Sequence, residues 1–257
     1  MTAIPRSAAW PRRWTRDVYK RQIRSYTEER DRPALIVVDQ RMSMYFGSVR
    51  AFKCAVAARL AALAAWTVYR AGDRVGGIVF GDDGSHAIAP LRSRDRVRAM
   101  LAAVARANGA LSADSAARAA DGALNQALRA AQALMPHDGL VCVISDFVGA
   151  DAQTLRLLRQ LAAHNDVLAM LVYDPMAQDL PRRGRLVVSQ GELQIEVAIG
   201  RERERRPLAD FFSGRLRDVA DLLRRSQVPL LSIDTAADEL TQLRRELGRV
   251  PAPGGGT

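Results

Sequence analysis

Short apolar runs alternate along this chain with longer segments whose apolar residues recur at helical spacing. The short runs are rich in branched side chains and too brief for helices, so they predict buried strands. Such alternation is typical of a mainly parallel sheet with helices on both faces, which predicts a doubly wound α/β fold. The predicted strands cover residues 33–39, 74–84, 86–90, 138–147, 166–175 and 228–234, and the predicted helices cover 49–73, 93–109, 115–135, 151–164, 207–227 and 236–248.

The rest of the chain divides into an arm, an insertion and a tail. Residues 1–32 contain arginines and tryptophans without a regular period, which predicts an N-terminal arm that is either irregular or truncated. Two alternating runs around a glycine, within 184–198, predict a β-hairpin inserted into one domain spanning 33–249. The Pro- and Gly-rich residues 250–257 have little to bury and predict a disordered tail.

The formal net charge of +10 narrows the classes of partner. A basic protein can attract nucleic acid, anionic lipid or an acidic protein. Most of the basic residues are arginines among alanines and leucines of predicted helices, where their long side chains cover apolar surface and stay solvated. No nucleic-acid-binding motif accompanies the charge, so nucleic acid is not expected as a partner and its binding stays an alternative.

The hydropathy of the chain predicts a cytoplasmic protein. No apolar stretch reaches the roughly 18 residues of a membrane span, and residues 1–17 lack the continuous apolar segment of a secretory signal. Cys54 and Cys142 lie far apart in apolar segments, which favours two buried thiols over a disulfide or a metal-binding pair.

Acidic residues end two of the predicted strands. Asp39 closes the first strand and Asp146 closes the run "LVCVISD". In doubly wound sheets ligands bind beyond the carboxyl ends of strands, where the strand order reverses. If the two strands are neighbours, both carboxylates face one crevice, and their oxygens suit Mg²⁺. The alternative is that each acid only stabilises the turn that follows its strand.

Several segments resemble a known family in the same order along the chain. They are "YTEERDRPALIVVDQRMSMYFGS", "ISDFVGADAQTLRLLRQLAAHNDVLAMLVYDP" and "LPRRGRLVVSQGEL", and the resemblance to the domain of unknown function 58 family extends over residues 26–248. Members have a von Willebrand factor A-like fold and are typically encoded beside MoxR-type AAA+ ATPases. The resemblance implies a non-enzymatic adaptor or chaperone-like partner of such an ATPase and of the protein that the ATPase remodels.

The resemblance also implies a degenerate metal site. The related fold carries a metal-ion-dependent adhesion site written D-x-S-x-S, with a threonine and a further aspartate on later loops. Asp39 matches its first aspartate, Ser43 its last serine and Asp146 its late aspartate, whereas Arg41 stands in place of the middle serine. No threonine occurs between residues 108 and 125, and Ser112, Ser115 or Asp121 would replace it only loosely.

Arg41 decides what such a site can do. A guanidinium that points inward would repel a cation about 4 Å away by several kcal/mol at an intermediate dielectric. It could instead pair with Asp39 and Asp146 and replace the cation by a fixed positive charge. If Arg41 turned to solvent, a weak, water-rich Mg²⁺ site would remain. The sequence favours replacement.

Two aromatic residues flank the predicted crevice. Phe46 and Phe147 could form an interaction rim there, or pack against the helices that follow them.

Catalytic motifs give little support for an enzyme. No P-loop or dinucleotide-binding motif is present. The enzymatic alternative is a Mg²⁺-dependent phosphohydrolase with Asp39 as nucleophile, but Arg41 occupies the position where such sites need a second acid.

Overall fold

A computed structural model describes residues 31–112, 122–177, 184–190, 193–199 and 202–248, with the backbone alone described between 184 and 212. These ranges contain eight strands and six helices. In chain order they are β1 (Pro33–Asp39), α1 (Lys53–Arg70), β2 (Arg74–Gly81), β3 (Gly84–Leu91), α2 (Arg94–Ala110), α3 (Ala123–Leu134), β4 (Leu140–Ser145), α4 (Ala152–Ala162), β5 (Asp166–Tyr173), β6 (Gly184–Gln190), β7 (Leu193–Ile199), α5 (Glu202–Ser226), β8 (Leu230–Asp234) and α6 (Glu239–Leu247).

Six strands form one sheet in the order β3-β2-β1-β4-β5-β8. Every neighbouring pair is parallel except β2 and β3, which are antiparallel. The strand order reverses between β1 and β4, because the chain first moves outward to β2 and later returns to the other side of β1. The predicted doubly wound α/β fold is therefore confirmed. Strands β6 and β7 pair antiparallel in a separate two-stranded sheet, which confirms the hairpin predicted at 184–198.

The apolar run of β1 is buried on both faces of the sheet. Successive side chains of a strand point to opposite faces. Leu35 and Val37 accordingly pack in a cluster with residues of α3, α4 and α5, whereas Ile36 and Val38 pack with residues of α1 and α2. A charged side chain is unfavourable within a strand that is buried on both faces. The first acid accordingly occurs at Asp39, the last residue of β1.

The predicted boundaries of three helices differ from the structure. Helix α1 begins at Lys53 rather than at residue 49, because residues 41–52 form a loop that includes a short 3₁₀ turn at Met42–Met44. Helix α2 is capped by Ser93 as predicted, but it continues through Gly109 to Ala110. Helix α5 begins at Glu202, before the predicted start at residue 207.

The predicted arm and tail fall almost wholly outside the described residues. Of the arm at 1–32 only Asp31 and Arg32 are described, and of the tail at 250–257 none is. Both assignments stay predictions. Across the part of the chain that is described, none of the helices combines the length and the apolar character needed to cross a bilayer.

Candidate functional site

Asp39 and Asp146 lie together at the point where the strand order reverses. Asp39 is the last residue of β1, Asp146 directly follows β4, and these two strands are parallel neighbours. Both residues are buried, with 0% and 6% of their surface exposed. Because charged groups are rarely buried without a partner, the donors around them define what the site can do.

The Arg41 side chain is folded back onto Asp39. Its Nε lies 3.0 Å from Oδ1 and 3.1 Å from Oδ2 of Asp39, and its Nη2 lies 2.6 Å from Oδ2. The Arg41 backbone N–H also donates to Asp39 Oδ1, at 3.0 Å, which closes a turn immediately after β1. Fork-like contacts of this kind are the strongest hydrogen bonds that a guanidinium makes with a carboxylate.

Arg41 also joins the loop after β1 to the loop after β4. Its Nη2 lies 3.6 Å from Asp146 Oδ1, and its Nη1 donates to the backbone carbonyl of Val148 at 3.0 Å. The guanidinium carbon lies 5.4 Å from the centre of the Phe80 ring, within the range of a cation–π contact. One side chain therefore contacts the carboxyl ends of β1, β2 and β4.

Asp146 has a second cationic partner in Lys53. The Lys53 ammonium lies 2.7 Å from Asp146 Oδ2, and only 12% of the Lys53 side chain is exposed. Asp146 Oδ1 accepts the Val148 backbone N–H at 3.0 Å and the Ser43 hydroxyl at 3.4 Å. Lys53 is the first residue of α1, so the position of this helix places its charge in the site.

A buried hydroxyl completes the shell around Asp39. Ser145, the last residue of β4, donates from Oγ to Asp39 Oδ2 at 2.6 Å and accepts the Phe147 backbone N–H at 2.8 Å. Both oxygens of Asp39 and both oxygens of Asp146 thus accept hydrogen bonds from groups of the protein.

The charges of the four central residues cancel. Burial lowers the pKa of Arg41, but the charge and hydrogen bonds of Asp39 outweigh burial and hold this pKa above its ordinary value. Burial raises the pKa of Asp146, but the Lys53 ammonium and the Arg41 guanidinium outweigh burial and hold it below its ordinary value. Both shifts favour the charged forms of Arg41 and Asp146 at neutral pH.

A third acid closes the site from the turn between β2 and β3. Asp82 Oδ2 accepts the Met42 backbone N–H at 2.6 Å, which fixes the start of the 3₁₀ turn. Burial raises the pKa of Asp82, although this bond and the nearby Arg41 charge act in the opposite direction.

The far end of the 41–52 loop is held by the neighbouring strands. Asp174 follows β5 and accepts the Ser48 backbone N–H at 2.8 Å, the Ser48 hydroxyl, and the Thr235 hydroxyl at 2.6 Å. Burial raises the pKa of Asp174, but these donors outweigh burial and hold it below its ordinary value. Arg50, two residues after Ser48, donates to the Ala237 carbonyl at 2.7 Å, and this bond joins the loop to the segment before α6.

The predicted metal ligands come together without the free oxygens that a metal needs. Ser43 faces Asp146 as the family motif implies, but protein donors already engage both carboxylates. In the described ranges no group of three His, Cys, Asp or Glu side chains is arranged to hold a metal ion. Of the substitutes for the missing threonine, Ser115 and Asp121 lie outside these ranges. A divalent cation does not fit the site as these side chains stand.

One of the two predicted rim residues is misplaced. Phe147 is 0% exposed and packs in the core, so its assignment to an interaction rim is wrong. Its φ of 52°, uncommon for a bulky side chain, turns this residue inward after β4. Phe46 is partly exposed. The exposed apolar side chains of the loop are instead Val49, at 70%, and Phe52, at 43%.

Sequence reasoning missed three residues of the site, Lys53, Ser145 and Asp82. Lys53 carried a signal, because lysine occurs at only two of the 38 basic positions, Lys20 and Lys53. Ser145 directly precedes the predicted strand-end acid, and Asp82 lies in an ordinary turn sequence. Neither position is distinctive until the strands are assembled.

Comparisons with known proteins support the sequence resemblance. The uncharacterised protein Rv1480 of Mycobacterium tuberculosis is 28% identical over 229 residues, which cover 87% of this chain and 68% of that protein. The structure of the conserved hypothetical protein BatB from Bacteroides thetaiotaomicron matches with a TM-score of 0.52 at 14% identity, over 85% of this chain and 98% of BatB. At this identity the likeness to BatB concerns the fold alone.

A von Willebrand factor A domain is also among the similar structures. The VWA domain of SpRpn10 matches over 86% of this chain and 95% of that domain, at 13% identity and a TM-score of 0.43. The sequence profile described as "Protein of unknown function DUF58" matches residues 13–214, most of the chain. This chain therefore belongs to the DUF58 family, and its fold is similar to that of BatB.

Proposed function

We propose that this chain is a protein-interaction domain that binds its partner with the loop 41–52 at the carboxyl edge of the sheet. We further propose that this partner is a MoxR-type AAA+ ATPase, for which the chain acts as an adaptor towards a protein substrate. The domain itself is proposed to be non-enzymatic.

The observation that carries the proposal is a loop fixed at both ends that nevertheless exposes apolar side chains. Arg41 holds its beginning against Asp39, and Ser48 holds its far part against Asp174. Val49 and Phe52, which follow the second anchor, are exposed, and the Phe52 ring stacks on Tyr45 at 4.8 Å between centroids. A preordered apolar surface loses little conformational entropy on binding, which favours association.

Support for an ATPase partner comes from the family rather than from the geometry. Relatives are typically encoded beside MoxR-type ATPases, and the sequence lacks a P-loop of its own. In this proposal ATP hydrolysis is the work of the partner.

The test is a pull-down of the full chain against the MoxR-type ATPase of the native host, with and without ATP and Mg²⁺. We expect Val49→Ser combined with Phe52→Ser to weaken binding by about tenfold or more, because a few side chains buried at the centre of an interface carry most of its binding energy. Leu91→Ser is the matched control. Leu91 is also exposed, at 48%, but pairs with Val75 near the amino end of β2, at the opposite edge of the sheet.

Two results would contradict the proposal. One is the absence of any AAA+ ATPase from the wild-type pull-down under all nucleotide conditions. The other is equal binding by the double variant and the wild type.

The phosphohydrolase alternative needs a free carboxylate oxygen on Asp39. Both oxygens accept hydrogen bonds from Arg41, and one also accepts from Ser145. Turnover of generic phosphomonoesters that Asp39→Ala abolishes would favour this alternative. Nucleic-acid binding through the basic surface would be recognised by an affinity that falls steeply with salt concentration.

A further inference from the structure

The fold family implies a divalent cation at this edge of the sheet, and the residues of this chain do not fit one. A cation between Asp39 and Asp146 would have to share their oxygens with the Arg41 guanidinium, which lies 2.6 Å from Asp39 Oδ2 and 3.6 Å from Asp146 Oδ1. The Lys53 ammonium lies 2.7 Å from the other oxygen of Asp146. The cation would therefore lie beside two other positive charges, in a buried site where water screens their repulsion only weakly.

We infer that Arg41 and Lys53 together are a built-in replacement for this cation, so the carboxyl edge keeps its shape without metal. Two monovalent side chains supply the charge of one divalent ion. Arg41 supplies directional contacts as well, because its nitrogens reach Asp39, Asp146 and the Val148 carbonyl.

A covalently attached cation behaves differently from a bound ion. It cannot dissociate, so neither a chelator nor a change in Mg²⁺ concentration alters the loops that it holds. It also leaves no open coordination position for a carboxylate of a partner. This last consequence rests on the proposed function, and it means that the partner binds this edge without donating an acidic side chain to a metal.

Removing both side-chain cations should uncover a hard-cation site. Arg41→Ser places a hydroxyl between Asp39 and Ser43, and Lys53→Ala frees Asp146 Oδ2. The remaining donors are two carboxylates and hydroxyls, the ligands that Mg²⁺ and Mn²⁺ prefer. The single variants should remain intermediate, because each keeps one of the two competing charges.

The experiment compares wild type, Arg41→Ser, Lys53→Ala and the double variant as isolated full-length proteins. Each is titrated with Mn²⁺ by calorimetry and melted in EDTA, Mg²⁺ or Mn²⁺. Arg59→Ser is the matched control, since Arg59 also pairs with a carboxylate, that of Glu239, but its side chain is 49% exposed and lies outside this site.

We expect no Mn²⁺ binding and the same melting temperature in EDTA and Mn²⁺ for wild type and Arg59→Ser. For the double variant we expect stoichiometric binding and a rise of about 3 °C or more at a Mn²⁺ concentration near ten times its Kd. Stoichiometric Mn²⁺ binding by wild type that Asp39→Asn abolishes would overturn the inference. A folded double variant that binds no metal would overturn the latent-site part of it.

A measurement on wild type alone covers the case in which the double variant does not fold. An Arg41 guanidinium held by two carboxylates should give a resolved Nε–H resonance with slow solvent exchange, unchanged by EDTA or Mg²⁺. A shift of this resonance on adding Mg²⁺ would overturn the inference. Because no partner is present in any of these experiments, their failure is distinguishable from failure of the pull-down.

Discussion

Two pairs of neighbouring strands in this sheet place buried aspartates at the same edge and satisfy them in different ways. At the ends of β1 and β4, Asp39 and Asp146 are neutralised by the Arg41 and Lys53 charges. At the ends of β5 and β8, Asp174 is surrounded by the hydroxyls of Ser48 and Thr235 and by backbone N–H groups. Charge stabilises the first place, and neutral donors stabilise the second.

The two clusters should respond differently to the loss of one partner. An ion pair in a buried site offsets a large desolvation cost, so losing one partner leaves an uncompensated charge. A carboxylate with several neutral donors loses only one hydrogen bond when a donor is removed. A single substitution should therefore lower the stability of the protein more in the first cluster than in the second.

The largest effect is expected for Arg41→Ala. This change leaves Asp39 buried and lacking its cation, so we expect the free energy of unfolding in urea to fall by about 3–5 kcal/mol. Arg59→Ala should cost less than Arg41→Ala, because Arg50 still pairs with the buried Glu239 carboxylate when Arg59 is removed. Equal losses for the two variants would show that Arg41 does not neutralise the site.

A smaller effect is expected for Thr235→Val, which removes one neutral donor from Asp174 with little change in shape. Ser48 and the Met176 backbone N–H still donate to Asp174, so the expected loss in urea denaturation is about 1–2 kcal/mol. Thr241→Val is the control, because its hydroxyl bonds Asp238 in an exposed position. A loss as large as that of Arg41→Ala would erase the contrast between the two places.

A smaller effect is expected in the pH dependence of stability, through Asp174. The pKa of Asp174 is held below its ordinary value in the folded protein, so its contribution is present above the unfolded pKa of about 4 and is lost as pH falls through the folded pKa. The stability difference between wild type and Asp174→Asn should therefore shrink in acid unfolding below about pH 4. Asp95→Asn, at a side chain that is 89% exposed, should keep the wild-type profile.

The smallest effect, of opposite sign, is expected for Asp82→Asn. Burial raises the pKa of Asp82 in the folded protein, so its ionisation disfavours the folded state as pH rises above the unfolded pKa. An amide carbonyl can still accept the Met42 N–H, so stability at pH 7 should rise by less than about 1 kcal/mol. Asp83→Asn, at the exposed neighbour, should change nothing. A clear loss for Asp82→Asn would mean that its attraction to Arg41 dominates.

Much of the framework was predictable because local pattern and burial agree along most of the chain. The apolar run before Asp39 predicts a buried strand, which β1 is, and Ser93 caps α2 as predicted. The start of α1 was not predictable, because the anchoring of Ser48 by Asp174 is set by a contact between distant segments.

The order of residues along the chain is enough to place acids at the ends of strands. Asp39, Asp146, Asp174 and Asp234 each follow or end a buried apolar run, and each accepts the backbone N–H two residues later, a bond that needs only local geometry. Both sequence-based interpretations of Asp39 and Asp146, as turn-stabilising acids and as neighbours in one crevice, are therefore compatible.

Which of these acids pair with cations depends on how the strands and helices assemble. Arg41 lies two residues from Asp39, but Lys53 reaches Asp146 across 93 residues because α1 begins above the ends of β1 and β4. Backbone bonds within a turn follow from the order of residues. The neutralisation of a buried charge depends on which side chains the assembled strands and helices bring within reach.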